Sequence, residues 1–206
     1  MAVLALILFA AWLLIVGGMR GYLHARRTGE ASIHVRDRTG SAQWWSRVIA
    51  SIGLVVAVSA PIAELAGLSA IDLLDQGIVR GAGVVLVGLG IAGTLIAQTA
   101  MGASWRGDVD PDACTPLVTT GPFAIVRNPV LVATQTTALG VALMAPNVLA
   151  AIGFALVLVA HQVQVRLVEE PYLERVHGDS YRRYAQRTGR FLPRLSAFLG
   201  RRQRNA

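Results

Sequence analysis

The sequence predicts an all-α integral membrane protein with about five transmembrane helices, a C-terminal helical hairpin and a cytoplasmic helical tail. Three observations support this fold class. Only 15% of the 206 residues are charged, whereas soluble domains carry about 25% charged residues. The mean hydropathy is +0.53. Five apolar segments also approach the length of about 20 residues that a helix needs to cross a bilayer.

The five apolar segments run over residues 3–18, 48–68, 81–101, 130–145 and 148–168. The first lacks a basic leader and a small-residue cleavage site, so we expect a retained helix and not a signal peptide. The fourth spans only about 24 Å at about 1.5 Å per residue. We therefore expect it to cross part of the bilayer or to pair tightly with the fifth. Pro146 and Asn147 between them predict a tight helical turn.

Every one of the 19 basic residues is arginine, and the formal charge is +7. The arginines cluster at the ends of the apolar segments, which favours a role in membrane orientation over nucleic-acid binding. Their distribution predicts an external N-terminus and a cytoplasmic C-terminus. Trp44, Trp45 and Trp105 fit an interfacial aromatic belt. Cys114 is the only cysteine, and with the scattered histidines it makes no metal-ligand spacing.

A dinucleotide-like pattern, "GLGIAG", lies in the third apolar segment, with Gly88, Gly90 and Gly93 at GxGxxG spacing. A dinucleotide site needs a strand before this pattern and a helix after it. Here the pattern sits inside one continuous apolar segment. Close packing between membrane helices is therefore the favoured interpretation.

The end of the fifth segment, "HQVQVRLVEEPYL", is unusually polar for a membrane helix. At about 100° per residue, Gln162, Arg166 and Glu169 share one face, with Glu170 beside them. Polar groups at membrane depth are costly and usually face protein or water. One interpretation is an interfacial ion pair of Arg166 with either glutamate, which ends the helix before a proline. His161 lies off that face and is interpreted as a packing residue.

The predicted hairpin brings the start of the fourth helix to the same membrane face as the end of the fifth. Arg127 and Asn128 are therefore expected to approach Arg166, Glu169 and Glu170. Two further amides are expected in the same polar cavity, those of Gln98 and Gln135. Such a set suits a zwitterionic ligand with a carboxylate and an amine. The free amides at the start of the fourth helix, which begins at a proline, would also favour an anion.

Three stretches together resemble a known family: "LVTTGPFAIVRNP", "RLVEEPYL" and "HGDSYRRYAQRTGRFLP". Their order, around a helical hairpin, is similar to that of the isoprenylcysteine carboxyl methyltransferase family and the related bacterial phospholipid methyltransferases. The resemblance covers roughly residues 101–195. It implies three parts: N-terminal membrane helices with a basic loop over 1–100, a methyltransferase-like core over 101–195, and a basic tail over 196–206.

The resemblance implies a membrane-embedded methyltransferase of a bacterial plasma membrane that uses S-adenosylmethionine. The acceptor would be small and lipophilic, with a carboxylate, thiol or amine on an isoprenoid or lipid, and would enter sideways from the bilayer. Arg166 and Glu169 become the catalytic candidates. The implied cofactor-binding residues are Leu117, Val118, Gly121, Pro122, Arg127, Asn128, Glu169, Glu170, Tyr181, Tyr184 and Arg190. The sequence leaves the oligomeric state open.

The sequence departs from the family pattern at several positions. Asn128 stands where the family has a histidine, and three further departures are Thr115, Leu131 and Ala133. Asparagine keeps a donor and an acceptor but does not titrate near neutral pH. A general base at this position is therefore excluded, which favours an acceptor that is already ionised, such as a carboxylate or a thiolate. A base role stays open for Glu169 or Glu170.

Two other functions remain as alternatives. Membrane reductases of the sterol-reductase type are similar in their C-terminal half and bind NADPH, but the short chain with five helices argues against this class. The other alternative is a degenerate family member that acts as a non-catalytic membrane scaffold. This alternative stays open because Asn128 replaces the family histidine. Binding of S-adenosylmethionine, of NADPH, or of neither would discriminate among the three.

Overall fold

The computed structural model describes residues 1–19, 21–22, 26, 38–102 and 116–194, and the elements of this part are helical. The predictions that concern Trp105, Cys114, Thr115, most of the first basic loop and the tail over 196–206 lie outside the described residues. Seven α-helices are described: α1 (Ala2–Trp12), α2 (Ala42–Leu65), α3 (Gly77–Met101), α4 (Pro129–Met144), α5 (Val148–Gln164), α6 (Glu170–His177) and α7 (Asp179–Arg187).

Two π-helical segments extend the α-helices. Leu13–Met19 continues α1, and Val165–Glu169 joins α5 to α6, so that the chain is helical from Val148 to His177. Among the described residues, three helices are long and apolar enough to cross a membrane: Ala42–Leu65, Gly77–Met101 and Val148–His177. Two shorter apolar helices accompany them, Ala2–Gly18 and Pro129–Met144. The chain is therefore an all-α integral membrane protein, as the sequence predicts.

Side-chain caps define where two of the membrane helices begin. Ser41 accepts a hydrogen bond from the Trp44 amide at 3.2 Å, which satisfies a donor of the first turn of α2. Asn147 accepts one from the Ala150 amide at 3.1 Å and donates to the Ala60 carbonyl at 2.9 Å. Asn147 therefore starts α5 and also ties the turn to α2. This confirms the tight turn predicted at this position.

The helices pack in two antiparallel pairs, α3 with α4 and α2 with α5. The fourth helix contacts the fifth, one of the two possibilities expected, but it packs more extensively against α3 because glycines allow a closer approach there. A Cβ atom on Gly83 would lie 2.6 Å from the Gly140 carbonyl of α4. A Cβ atom on Gly153 of α5 would lie 2.7 Å from the Ala57 amide of α2. Such close backbone approach is possible only where one residue lacks a side chain.

The GxGxxG pattern serves this packing within α3. A Cβ atom on Gly90 would lie 2.7 Å from the Ala133 carbonyl and closer still to the side chain of Thr137, both in α4. A Cβ atom on Gly88 would meet nothing within 4 Å. Because the pattern lies inside one membrane helix, its interpretation as a packing motif is consistent with the structure.

At the end of the bundle where α2 ends and α3 begins, Arg80 joins three helices. Its guanidinium contacts Glu64 at 2.7 Å and Asp75 at 2.8 Å, and it donates to the Met144 carbonyl at 2.9 Å. The last contact satisfies a carbonyl at the end of α4 that lacks an intrahelical partner. A second polar cluster lies at the opposite end of the bundle, where α3 ends and α4 begins.

Candidate functional site

The segment before α4 forms a turn that is held by the C-terminal chain. Gly121 has a φ of +59°, a conformation that glycine adopts readily, and it starts a 3₁₀ turn over Gly121–Ala124. Val126 then forms a parallel β-bridge with Gly189, and the Arg127 amide donates to the Gly189 carbonyl at 2.8 Å. The C-terminal segment is thereby fixed against the start of α4.

A three-residue ion cluster lies at this junction and is formed by Arg127, Glu170 and Arg190. Arg127 Nη2 lies 2.6 Å from Glu170 Oε1. Arg190 donates from Nε to Oε1 at 2.8 Å and from Nη2 to Oε2 at 2.5 Å. The exposed fractions of the side chains are 12% for Arg127, 19% for Glu170 and 30% for Arg190. Two guanidiniums share one carboxylate, so the cluster keeps a net positive charge.

Asn128 is the N-cap residue of α4, but its side chain makes no capping hydrogen bond and instead links the two segments of the site. Its amide and its side-chain Nδ2 both donate to the Arg190 carbonyl, at 3.2 Å and 3.1 Å. A neutral histidine has a ring N–H and offers one donor as well. Asn128 therefore makes a contact that needs a donor but no titratable group, and the contact orients the backbone of Arg190.

Tyr181 and Tyr184 of α7 cover the cluster from the C-terminal side. Tyr184 donates from its hydroxyl to the Phe123 carbonyl at 2.7 Å, and its ring meets that of Tyr181 edge-on at 6.3 Å. The Arg127 guanidinium lies 5.9 Å from the centroid of the buried Tyr181 ring. Burial raises the pKa of each hydroxyl to about 12. Both tyrosines therefore stay protonated near neutral pH.

The π turn over Val165–Glu169 directly precedes Glu170 and affects the direction of its side chain. The Glu170 amide donates to the carbonyl of Val165, five residues earlier, as the chain adapts to Pro171, which has no amide hydrogen. One extra residue in a turn rotates the later residues of the helix by about 100° relative to an unbroken α-helix. Glu170 thus points to Arg127. Turns of this kind are frequent at functional sites.

The expectation that Arg166 joins the cluster is wrong. Arg166 is exposed, and its Nε donates to Gln162 Oε1 at 2.9 Å. The ion pair predicted between Arg166 and a glutamate is replaced by this bond within the helix. Glu169 is half-buried and has the side chain of Gln164 as its hydrogen-bonding partner. Of the two glutamates, only Glu170 pairs with an arginine among the described residues.

The remaining predicted cofactor residues lie on the approach to α4. Leu117, Val118 and Pro122 are half-buried, and Gly121 is exposed beside Ala100 at the end of α3. They are continuous in the chain with the turn that carries Arg127. The structure therefore brings six predicted residues into direct contact and leaves four beside them. The six are Arg127, Asn128, Glu170, Tyr181, Tyr184 and Arg190.

Three buried polar atoms near this end of the bundle have no hydrogen-bonding partner among the described residues: Arg127 Nε, Gln98 Oε1 and Gln135 Nε2. An unpaired buried polar group costs about 1–3 kcal/mol. Two of these atoms, Arg127 Nε and Gln135 Nε2, are donors that lack an acceptor. The donor set therefore fits a ligand that carries a carboxylate.

An apolar cavity of about 250 Å³ was not predicted from the sequence. It lies among α1, α2, α4 and α5, and its lining includes Trp12 and His161. Trp12 Nε1 and His161 Nδ1 are buried and find no partner in the described part of the chain. The interpretation of His161 as a packing residue is therefore incomplete. The sequence contains one indication of this cavity: His161 lies inside an apolar helix, where burial of a polar group costs free energy.

Comparison with known proteins identifies the chain. A family model described as phospholipid methyltransferase matches residues 78–180, half of the chain. The matched region includes Arg127, Asn128 and Glu170 and ends just before Tyr181. No curated protein and no solved structure matches the chain. The chain therefore belongs to the phospholipid methyltransferase family, in the same group of membrane methyltransferases as the isoprenylcysteine carboxyl methyltransferases.

Proposed function

We propose that the chain is a membrane-embedded methyltransferase that uses S-adenosylmethionine and methylates a small lipophilic acceptor. The acceptor group is a carboxylate, thiol or amine on an isoprenoid or a lipid. The observation that carries the proposal is the Arg127–Glu170–Arg190 cluster. In a chain of this family, it forms a positively charged, partly enclosed site at the end of the membrane helices.

The donor set supports binding of the methionine portion of the cofactor. Arg127 has a buried Nε donor with no partner among the described residues, and the cluster has one more positive than negative charge. Both features favour the cofactor carboxylate. Glu169, which has no arginine partner among the described residues, is our candidate for the cofactor ammonium. We propose that the turn over Leu117–Pro122 and the two tyrosines of α7 enclose the rest of the molecule.

The bound cofactor would supply an electrophilic methyl group on a sulfonium. The role of the protein is then to orient the acceptor in line with that methyl group and to exclude water. An acceptor carboxylate is already ionised at neutral pH and needs no base. Asn128 does not titrate near neutral pH, so the site favours a carboxylate, or a thiol that is already ionised.

If the acceptor is an amine, Glu169 would serve as the base and not as the partner of the cofactor ammonium, because Glu170 is held by two arginines. Arg166 lies on the exposed side of the π turn. From there we propose that it orients the polar group of the acceptor at the membrane surface. By the positive-inside rule, the arginine-rich ends of the helices favour a cytoplasmic position for this end of the bundle, which is where the cofactor would have to bind.

Isothermal titration of the full chain in detergent tests cofactor binding. We expect S-adenosylmethionine to bind and NADPH not to bind. Arg127→Ala and Glu170→Ala should each weaken binding by about tenfold or more, since about 1.4 kcal/mol corresponds to tenfold. The matched controls are Arg182→Ala and Glu174→Ala, which remove the same charges from exposed positions of α7 and α6. Unchanged affinity in both cluster variants, or binding of NADPH alone, would contradict the proposal.

A further inference from the structure

We infer that the cavity among α1, α2, α4 and α5 is the acceptor chamber, and that it takes an amphiphile with an apolar chain and an anionic head. The inference rests on the proposed function, which it deepens by assigning an acceptor site. Seven of the thirteen lining residues come from α1 and α2, outside the region that matches the family model. The N-terminal half of the chain would therefore set acceptor specificity.

The lining of the cavity suits an apolar chain. Phe9, Leu54, Val141 and Val157 line it, together with several alanines, and the helices that enclose it are apolar. At about 30 Å³ for each water-sized group, the cavity of about 250 Å³ holds about eight such groups. This is the size of a short isoprenoid or acyl portion. Burial of such a chain is favourable by about 0.8 kcal/mol per CH₂ group.

One end of the cavity is polar. Arg47 and His161 line it, and each directly follows a residue of one hydrogen-bonded pair, in which Ser46 donates to the Ala160 carbonyl at 3.2 Å. The two side chains therefore lie at the same level of the bundle. Among the described residues that line the cavity, none is acidic. This arrangement favours an anionic head over a cationic one.

The unpartnered donors support the same head group. The indole nitrogen of Trp12 only donates, and neither it nor His161 Nδ1 has a partner among the described residues. A ligand oxygen that accepts hydrogen bonds from these two groups would remove the free-energy cost of leaving them unpaired. Because polar groups inside membrane bundles usually mark a functional site, their position in the wall of an apolar cavity indicates a ligand with a polar end.

The polar end of the chamber lies toward the end of the bundle that carries the Arg127 cluster. Thr134, which lines the cavity, lies about 7–8 Å along α4 from Pro129 at about 1.5 Å per residue. The opposite end is marked by Ala57 of α2, which packs against Gly153. An amphiphile with its chain toward Ala57 would therefore present its head toward the cluster. Ser51 is an exposed lining residue, and it marks the side from which the chain enters.

Photolabelling of the full chain in nanodiscs tests the inference. The probe is decanoic acid with a photoreactive diazirine in its chain, and the labelled residues are mapped by mass spectrometry. We expect labels on the segments of α1, α2 and α5 that line the cavity. Ala50→Phe, which fills the cavity, should reduce labelling by about tenfold, while Val55→Phe, 69% exposed on the same helix, should label like the wild type.

A second comparison tests recognition of the head. Decanoate should compete with the probe more strongly than decanol in the wild type, and Arg47→Gln should reduce this preference. Labels outside the chamber, or equal labelling of Ala50→Phe and Val55→Phe, would overturn the chamber. Equal competition by decanoate and decanol in the wild type would overturn the anionic head. S-adenosylmethionine titration of the same samples separates these results from a failure of the proposed function, because the probe needs no cofactor to bind.

Discussion

Arg190 donates two hydrogen bonds to Glu170, from Nε to Oε1 at 2.8 Å and from Nη2 to Oε2 at 2.5 Å. This bidentate pair joins the segment after α7 to the junction between α5 and α6. The same carboxylate raises the pKa of the Arg190 guanidinium. Glu170 also binds Arg127, so one carboxylate holds together three parts of the chain that are far apart in sequence.

Glu170→Gln should destabilise the C-terminal part of the chain. The substitution keeps the shape of the side chain but removes the charge that two guanidiniums share. Loss of a charge-assisted hydrogen bond costs about 1.5–3 kcal/mol, and we expect a loss in this range. Thermal unfolding in detergent measures it. Glu174→Gln is the control, since this glutamate is 52% exposed; equal stability of the two variants would contradict a role for the cluster in holding the fold.

Substitutions of Asn128 separate a donor role from a titratable role. Asn128→Leu removes the side-chain donor to the Arg190 carbonyl, which should cost about 1 kcal/mol of stability and weaken binding of S-adenosylmethionine. Asn128→His keeps an N–H donor and should retain more affinity than the leucine variant. Titration calorimetry of both variants provides the measurement. Wild-type affinity in Asn128→Leu would show that the contact does not support the site.

Two glycines of the GxGxxG pattern, Gly88 and Gly90, allow a matched test of helix packing. Gly90→Ala places a Cβ atom against Thr137 and against the Ala133 carbonyl. Overpacking of this kind costs about 1–3 kcal/mol, so the unfolding temperature in detergent should fall. Gly88→Ala, two residues earlier, points into open space and should leave the unfolding temperature unchanged or slightly raise it. If the two variants behaved alike, the close contact of α3 with α4 would be wrong.

The tyrosine cover should lose stability in alkaline solution. Burial raises the pKa of Tyr184 from 10.0 to about 12, so the folded chain holds its phenolic proton more tightly than the unfolded chain. This contribution to stability is fully present below about pH 10 and is lost as the pH rises toward 12. Unfolding followed between these pH values should show a decline that is less steep in Tyr184→Phe. Tyr22→Phe, at an exposed position, should keep the wild-type slope.

Much of this architecture can be predicted from local sequence signals. The apolar segments predict the membrane helices, Pro146 and Asn147 predict the turn, and the antiparallel hairpin brings Arg127 to Glu170. Two features needed the structure. The side chain of Arg166 bonds to Gln162 and lies outside the cluster, and a uniform angle of 100° per residue does not describe the π turn before Pro171. The choice of helix partners depends on which glycines meet across the bundle, and periodicity within one helix carries no information on this.

The acceptor chamber was not predictable for a related reason. Trp12, Arg47 and His161 come from three different helices, and each has an ordinary interpretation in the sequence as an interfacial or packing residue. Their common position depends on the pairing of α2 with α5 and on the place of α1 beside them. Only the three-dimensional arrangement shows that the unpartnered nitrogens of Trp12 and His161 lie in the wall of one apolar cavity.

Transfer of a labelled methyl group tests the central claim most directly. The full chain in nanodiscs is incubated with S-adenosylmethionine labelled in its methyl group and with a lipid extract of the source organism, and the labelled product is identified by mass spectrometry. We expect a labelled lipophilic product with the wild type and with Arg182→Ala, and its loss with Arg127→Ala and Glu170→Ala. An absence of methylated product with the wild type, or equal product from the cluster variants, would contradict the account.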